Sequence, residues 1–194
     1  MKTNYQIRYA AHPEDAKHYD TKRIRRDFLI ETVFAADEVN MVYSMYDRMI
    51  VGGAMPVTEQ LRLEAIDPLK AAHFTTRREI GVFNVGGDGY IKVGNETFEL
   101  GYKEALYIGR GDRDVTFCPK DEKQPAKFYF NSCTAHTDYP CRKVTKADAI
   151  TTSMGEQATS NERNINKMIV SQVLPTCQLQ MGMTELSVGS VWNT

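Results

Sequence analysis

Three side chains of metal-binding types lie close together in the sequence: Cys133, His136 and Cys141. Thiolate and imidazole groups are preferred ligands of Zn²⁺, which structural sites usually hold with four such groups at short, regular spacings. Here no fourth ligand is nearby, and the four cysteines of the chain form no C-x-x-C pair. We therefore interpret these residues as packing residues on a strand and its exit loop, and expect the cysteines to be free thiols.

A glycine-rich run, residues 86–89 (GGDG), is a second candidate, because glycine-rich loops can cradle a phosphate. Such loops normally lead into a helix, whose N-terminal N–H groups complete the phosphate site. No helical pattern follows this run. We expect a turn between two strands instead.

The sequence around these residues has the pattern of a β protein. From Asn40 to Asn131 the chain shows short runs with alternating apolar and polar residues or many β-branched and aromatic residues, separated by Gly, Pro, Asp and Asn. Evenly spaced short strands with little helical pattern predict an antiparallel sandwich or barrel. Gly94-Asn95, between two such runs, predicts a two-residue hairpin turn. Phe128 and Phe130, alternating with Tyr129, predict a barrel strand with one face inward.

One helix is predicted before the β region, in the stretch DTKRIRRDFLIETVF. Asp20 or Thr21 is a suitable N-cap, and Ile24 and Phe28 are one turn apart, so we expect them on the buried side of the helix.

Changes of texture suggest four segments. Residues 1–39 form an N-terminal arm, residues 40–135 a barrel, and residues 136–166 a polar, turn-rich connector; β-type texture resumes over residues 167–194.

The composition excludes some classes of partner. The formal net charge is −1, so we expect no general affinity for nucleic acid or for a membrane surface. The sequence contains no apolar run long enough for a signal peptide or a membrane span. These features predict a cytoplasmic protein.

The glycine spacing in the barrel resembles the two signature motifs of the cupin superfamily, which are small jelly-roll barrels. Glu79 precedes Gly86 at the spacing of the first motif, and Gly101 precedes Gly109 in the manner of the second. By this resemblance His73, Glu79 and Asp112 stand at three metal-ligand positions, while Thr75 replaces a histidine. One His and two carboxylates can hold a metal in some enzymes. We nevertheless expect this barrel to be metal-free, with the His73, Glu79 and Asp112 set as an alternative.

Longer stretches resemble the 5-keto-4-deoxyuronate isomerase family. The stretches, in chain order, are DRMIVGGAMP (47–56), RREIGVFNVGG (77–87), PAKFYFNSCTAH (125–136) and CQLQMGMTELSVGSVWNT (177–194). The resemblance implies an all-β bicupin, with residues 167–194 as the first strands of a second barrel. It also implies a homohexamer with one zinc ion in that second barrel, where an H-x-H-x-x-x-x-E motif follows the W-N-T at which this sequence ends.

The reaction implied by the resemblance is an intramolecular oxidoreduction in the breakdown of pectin and related polyuronides. A ketol isomerase of this family moves the carbonyl of 5-keto-4-deoxyuronate between C1 and C2, giving 3-deoxy-D-glycero-2,5-hexodiulosonate. Because the zinc ligands are expected after Thr194, we expect no metal bound to this chain and no activity from it alone. We further expect the final strand to lack its sheet, and hence to be poorly ordered or prone to associate unless another chain or an altered packing covers it.

The substrate implied by the resemblance carries a carboxylate, which arginine or lysine would bind. The candidates are Arg163 and Lys167 in the stretch SNERNINK, and Arg77 and Arg78 in the stretch TTRREIG. Solvated charges or subunit-interface pairs are the competing interpretation of these residues. At the level of the whole chain, a non-catalytic cupin module that binds a small sugar acid is the alternative to an enzyme.

Overall fold

The computed structural model describes residues 2–192, which form two short helices and fourteen strands. The helices are α1 (Pro13–Ala16) and α2 (Thr21–Phe28). The strands are β1 (Lys2–Arg8), β2 (Glu38–Ser44), β3 (Ile50–Ala54), β4 (Leu61–Arg62), β5 (Arg78–Asn84), β6 (Gly89–Val93), β7 (Glu96–Leu100), β8 (Ala105–Ile108), β9 (Val115–Pro119), β10 (Phe128–Thr134), β11 (Arg142–Val144), β12 (Ile150–Met154), β13 (Arg163–Ile169) and β14 (Met181–Leu186).

Strands β3 to β10 form a jelly roll. The first of these eight strands pairs with the last, β4 pairs with β9, β5 with β8, and β6 with β7, all antiparallel. The strand orders are β3-β10-β5-β8 within the larger sheet and β4-β9-β6-β7 in the smaller one. Two facing sheets with this nested pairing are the double-sheet architecture that cupins use. The predicted all-β cupin fold is therefore confirmed.

The barrel interior is filled by apolar side chains from both sheets. Phe128 and Phe130 point inward from β10 and are fully buried, whereas Tyr129 points outward, as their alternation predicts. The ring of Phe117, from the opposite sheet, stacks on both, with centroids 5.4 Å and 6.0 Å away. The centre of the barrel is thus a packed core.

The hairpin predicted at Gly94-Asn95 is confirmed. Strands β6 and β7 pair up to Val93 and Glu96, which leaves two residues in the turn. Gly94 has φ of 56°, the positive value required at the first central position of a type II′ or type I′ turn. The turn therefore sets the register of the two strands.

A second layer covers the outer face of the larger sheet. Strand β11 extends that sheet beside β8, and β12, β13 and β14 form a separate antiparallel sheet. Met168, Ile169 and Met181 of this small sheet pack against Phe83 and Tyr107, which point outward from the barrel. The apolar contact explains why a chain segment beyond the barrel is ordered.

The expectation that the final strand lacks a sheet is wrong. Strand β14 pairs with β13 along its length, from Ile169↔Met181 to Arg163↔Leu186. It lies at one edge of the three-stranded sheet, so one side of it has no strand partner within residues 2–192. Its partner β13 spans Arg163–Ile169, so the expected boundary between residues 166 and 167 falls inside a strand. The expected connector, residues 136–166, contains two strands of its own, β11 and β12.

The N-terminal arm contains the predicted helix with its predicted cap. The Asp20 carboxylate accepts a hydrogen bond from the Arg23 backbone N–H at 2.7 Å. The expected burial of Ile24 and Phe28 is wrong, since they are 46% and 49% exposed. No residue of this helix is buried, and the ring of Phe28 contacts the partly exposed Tyr19, 6.4 Å away between ring centroids. None of the helices among the described residues has the length and apolarity needed to cross a bilayer.

Candidate functional site

An arginine-rich cavity lies at one end of the barrel, just beyond the packed core. We call it the arginine cavity; its volume is about 120 Å³. Its lining consists of Tyr43, Arg48, Pro68, Leu69, Ala71, Phe74, Arg77, Arg78 and Thr134. The mouth of a β-barrel is a common place for a ligand site.

Arg78 is the most buried charge in the cavity wall, with 3% of its surface exposed. It is the first residue of β5, and its side chain turns toward the inner side of the barrel. Its Nε donates to Ser132 Oγ at 3.0 Å, and its Nη2 donates to the backbone oxygens of Ser132 and Arg48 at 2.8 Å and 2.6 Å. All of these acceptors are neutral. Burial lowers the pKa of Arg78 to about 10, so the guanidinium still carries its charge at neutral pH.

Arg48 reaches the cavity from the turn between β2 and β3. Asp47 and Arg48 both have φ of 52°, and the Met49 N–H donates to the Tyr46 carbonyl at 3.1 Å, as in a type I′ turn. This turn normally has Asn and Gly at its centre, because positive φ is unfavourable for other residues. The hydrogen bond from Arg78 to the Arg48 carbonyl helps to hold the strained backbone in place.

Arg77 closes a third side of the cavity. Its Nη2 donates to the carbonyls of Leu69 and Lys70, which end a short 3-10 turn over Asp67–Leu69. The remaining N–H groups of Arg77 have no partner within residues 2–192.

No carboxylate lines the cavity. Asp47, the acidic residue beside Arg48 in the sequence, lines a different, open cleft with Met45 and Gln178. Three arginines therefore line one small space whose lining contains no carboxylate, and Arg48 also lines the neighbouring cleft of Asp47. Such an arrangement produces a positive potential that attracts anions.

The neighbour of Arg78, Glu79, points to the opposite face of the same strand. It is fully buried, and its carboxylate is surrounded by donors, which we call the Glu79 cluster: Tyr107, Cys133 and the backbone of residues 177–179. Oε2 accepts from the Tyr107 hydroxyl at 2.6 Å and from the Cys177 N–H at 2.9 Å. Oε1 accepts from the N–H groups of Gln178 and Leu179 at 2.9 Å and 2.7 Å, and from the Cys133 thiol at 3.4 Å.

The Glu79 cluster has the electrostatics of a buried anion that is fully hydrogen-bonded. Burial alone would raise the pKa of Glu79, but the hydrogen bonds from Tyr107 and from the three backbone N–H groups outweigh burial and lower it. Burial, together with the negative charge of Glu79, raises the pKa of Tyr107 and raises that of Cys133 to about 12. The carboxylate is thus ionised and the two side-chain donors are protonated, which is a structural arrangement rather than a reactive one.

The alternative metal set does not converge. Glu79 is engaged on the outer face of the larger sheet, whereas Asp112 accepts from the Thr76 hydroxyl at 2.7 Å. His73 Nδ1 lies 3.2 Å from Asp114 Oδ1, without the geometry of a hydrogen bond. No group of three His, Cys, Asp or Glu side chains within residues 2–192 could hold a metal ion.

Arg163 and Lys167 lie on β13, in the small sheet outside the barrel. The Arg163 guanidinium donates to the Asn161 carbonyl at 2.7 Å and lies 4.7 Å from the centre of the Trp192 ring. Lys167 is exposed, opposite Ile150 and Gly182 on the neighbouring strands. Arg78 is at the start of β5 and Arg77 directly precedes it, and both line the arginine cavity, so the structure does not bring the two pairs of basic residues together.

The two other candidates of the sequence have structural roles. Residues 86–88 form the turn from β5 into β6, as expected, Gly89 is the first residue of β6, and the Asn84 side-chain amide donates to the Gly87 carbonyl at 2.7 Å. Cys133 lies on β10 with its thiol on Glu79, Cys141 packs against the barrel core, and His136 is exposed. All four cysteines are free thiols, as predicted.

Two residues of these sites were not singled out from the sequence. Arg48 could have been noticed as a basic residue at a hairpin turn, where glycine or asparagine is favoured. Tyr107 carries no comparable signal, because its contact with Glu79 joins residues 28 positions apart on neighbouring strands.

Comparison with known proteins agrees with the proposed resemblance. A model of the KduI/IolB family matches residues 28–194. The 4-deoxy-L-threo-5-hexosulose-uronate ketol-isomerase of Bacteroides fragilis is 74% identical over all 194 residues, which span 69% of that protein. Isomerases of the same name from Bacteroides thetaiotaomicron and Formosa agariphila are 73% and 50% identical over the same length.

A solved structure is similar at a lower level. An IolB-like protein from Salmonella typhimurium LT2 matches with a TM-score of 0.48 and 13% identity, over 66% of this chain and 46% of that chain. This likeness is too weak to support a conclusion. The family match over residues 28–194 and the 74% identity along the whole sequence are strong evidence. They show that this chain belongs to the KduI/IolB family.

Proposed function

We propose that this chain acts as the N-terminal portion of a ketol-isomerase of 4-deoxy-L-threo-5-hexosulose uronate, the reaction of its relatives. The observation that carries the proposal is 74% identity to such an isomerase through every residue of the chain. The reaction is an intramolecular oxidoreduction, in which the carbonyl moves to the adjacent carbon and yields 3-deoxy-D-glycero-2,5-hexodiulosonate. It requires a group that moves a proton and a group that stabilises negative charge on oxygen.

Zinc is part of the proposal, but the described residues do not fit it. Within residues 2–192 no three potential ligands lie close enough to hold a metal ion. We propose that the zinc ligands lie in the part of the relatives' length that these 194 residues do not span, and we derive no step of the reaction through the metal. Bound there, a zinc ion would supply a positive charge for the developing oxyanion.

The role of this chain in the reaction is structural: its barrel supports and positions strand β14. The Glu79 cluster ties the backbone of residues 177–179 to the barrel, and thereby fixes the start of β14. Met181 and Leu179 are buried beside it. A segment that continues beyond β14 would thus begin from a rigid support.

Arg163 and Lys167 are our candidates for binding the substrate carboxylate. Arginine binds carboxylates well because its planar N–H groups match their geometry. Arg163 is held by Asn161 and by the Trp192 ring, which limits the freedom of its long side chain. Arg77 and Arg78 line the arginine cavity instead.

We also propose a homohexamer located in the cytoplasm. Apolar side chains exposed on the arm of this single chain support an assembly, because such clusters often mark subunit interfaces. They include Tyr5, Ile7, Ile24, Phe28 and Leu29. Four free thiols are consistent with a reducing compartment.

A non-catalytic module that binds a small sugar acid is the second candidate. The positive charge of the arginine cavity favours it, because it would attract the carboxylate of such an acid, whereas the small volume of the cavity opposes it. The packed barrel core opposes it, because a sugar ring has no space in the interior.

The test compares the 194-residue chain with a polypeptide extended to the length of its relatives. We expect the longer polypeptide to contain zinc and to convert 4-deoxy-L-threo-5-hexosulose uronate, and the 194-residue chain to do neither. Arg163→Ala in the longer polypeptide should raise KM about tenfold, whereas Arg142→Ala, on an exposed strand, should not. Turnover by the 194-residue chain would contradict the proposal, and tight uronate binding without turnover by either polypeptide would favour the binding module.

A further inference from the structure

The arginine cavity has three positive groups and no negative one, and the proposed isomerase reaction does not use it. We propose that the cavity binds a small oxyanion of the size of acetate or phosphate, held by Arg48, Arg77 and Arg78. This site is separate from the one proposed for the substrate.

The hydrogen-bond donors of the cavity are only partly used. Of the five N–H groups of Arg78, three donate to the Ser132 hydroxyl and to two backbone carbonyls, which leaves both N–H groups of Nη1 free. Arg77 uses only Nη2, on the carbonyls of Leu69 and Lys70. The side chain of Arg48 donates to no group within residues 2–192. A bound oxyanion would accept from several of these donors at once.

The charge of Arg78 gives the strongest reason to expect an anion. A charged group removed from water is unfavourable unless an opposite charge or enough hydrogen bonds compensate for it. Its three acceptors are neutral, and no carboxylate lines the cavity. The guanidinium of Arg48 adds a like charge nearby, which contributes to lowering the pKa of Arg78. An oxyanion would relieve both effects.

The other wall strengthens the attraction and limits the size of the ligand. Leu69 and Phe74 are buried apolar residues, so the cavity is partly shielded from water and charge pairs in it are less screened. A volume of about 120 Å³ equals that of roughly four water molecules. A cavity of this size suits a small anion such as acetate or phosphate better than a six-carbon sugar acid.

The experiment is calorimetric titration of the purified 194-residue chain, in a chloride buffer free of oxyanions, with acetate, with phosphate and with D-galacturonate. We expect saturable binding of acetate or phosphate at one site per chain, and none of D-galacturonate. The acetate and phosphate arms decide whether the natural ligand is a carboxylate or a phosphate.

Arg48→Gln is the decisive variant, because its backbone carbonyl, not its side chain, supports Arg78. We expect it to weaken anion binding about tenfold, and Arg78→Gln to abolish binding. Arg142→Gln is the matched control: this exposed arginine donates to the Val173 carbonyl outside the cavity, and its loss should leave binding unchanged.

Three results would overturn the proposal: no saturable binding of either small anion, equal binding by the Arg48→Gln variant, or D-galacturonate binding that Arg48→Gln weakens. The last would make the cavity part of a sugar-acid site. If Arg78→Gln does not fold, the Arg48→Gln comparison still decides.

Discussion

Arg78 and Glu79 are consecutive residues of β5, both charged and both buried, yet they have opposite surroundings. Glu79 faces outward and accepts from five donors, three of them backbone N–H groups. Arg78 faces inward, where it donates only to neutral acceptors and keeps two N–H groups free.

The difference teaches how a buried charge can be recognised as structural or as available for binding. The five donors around Glu79 occupy its carboxylate oxygens, so no acceptor site is left for a ligand. Three of these donors are backbone N–H groups from a distant part of the chain. The guanidinium of Arg78 borders a cavity and lacks a counter-charge. Burial alone does not separate the two cases, whereas an inventory of partners does.

Replacing Glu79 should have the largest effect. In Glu79→Gln an amide NH₂ takes the place of one carboxylate oxygen and faces the donors to that oxygen. Either Tyr107 and Cys177, or Cys133, Gln178 and Leu179, then lose their acceptor. We expect the free energy of unfolding to fall by about 3 kcal/mol, measured by urea denaturation. Glu162→Gln, at an exposed position, is the control and should change stability by less than about 0.5 kcal/mol. Equal stability of the two variants would show that the cluster is not a structural anchor.

Acid should weaken the same anchor. The folded-state pKa of Glu79 is below its ordinary value of 4.5, so the folded protein binds this proton less readily than the unfolded chain. The stabilisation is complete above about pH 4.5 and is lost as the pH falls through the folded-state pKa. Urea denaturation as a function of pH should therefore show the gap between wild type and Glu79→Gln closing below pH 4.5. A gap that stays constant to low pH would contradict this assignment.

Tyr107→Phe should have a smaller effect, because it removes one of the five donors to Glu79 and leaves the ring in place. A hydrogen bond to a charged group contributes about 2 kcal/mol, and we expect a loss of that order in urea denaturation. Tyr102→Phe is the matched control, since Tyr102 is 61% exposed and not part of the cluster. The comparison with Glu79 would fail if both tyrosine variants were equally stable.

Arg78→Met should have the smallest effect on stability. It removes three hydrogen bonds, but it also removes an uncompensated buried charge, and the two changes oppose each other. We expect a change of about 1 kcal/mol or less in a buffer without oxyanions, measured by urea denaturation. With acetate added, wild type should gain stability and Arg78→Met should not. A loss as large as that of Glu79→Gln would show that Arg78 is itself a structural anchor.

Some of the fold could be predicted from local patterns. The alternation around Phe128 and Phe130 predicted the inward face of β10, Gly94-Asn95 predicted a hairpin, and Asp20 predicted a helix start; all three are confirmed. Each depends on residues a few positions apart, where backbone geometry leaves little choice. Ile24 and Phe28 show the limit of such patterns, because a helix can have an apolar face without a partner in its own chain.

The sites could be predicted less well, for a physical reason. Arg77 and Arg78 were singled out as basic residues and Glu79 by its position in the cupin motif, but the sequence did not show what surrounds each side chain. The role of Glu79 depends on N–H groups 98 to 100 positions away. The pairing of β14 with β13 was missed because it depends on how residues 170–180 return the chain beside β13. The alternation within β14 does not show this.

The sequence by itself determined the β texture of the chain, its turns and its family, since these follow from short-range patterns and from long ordered stretches of similar residues. Only the tertiary structure decided which charges meet. Successive residues of a strand point to opposite faces, so the folding of the jelly roll placed Arg78 in a cavity without acids and Glu79 among backbone donors from the far end of the chain. Contacts between distant segments depend on how the sheets close and pack, and no local pattern encodes them.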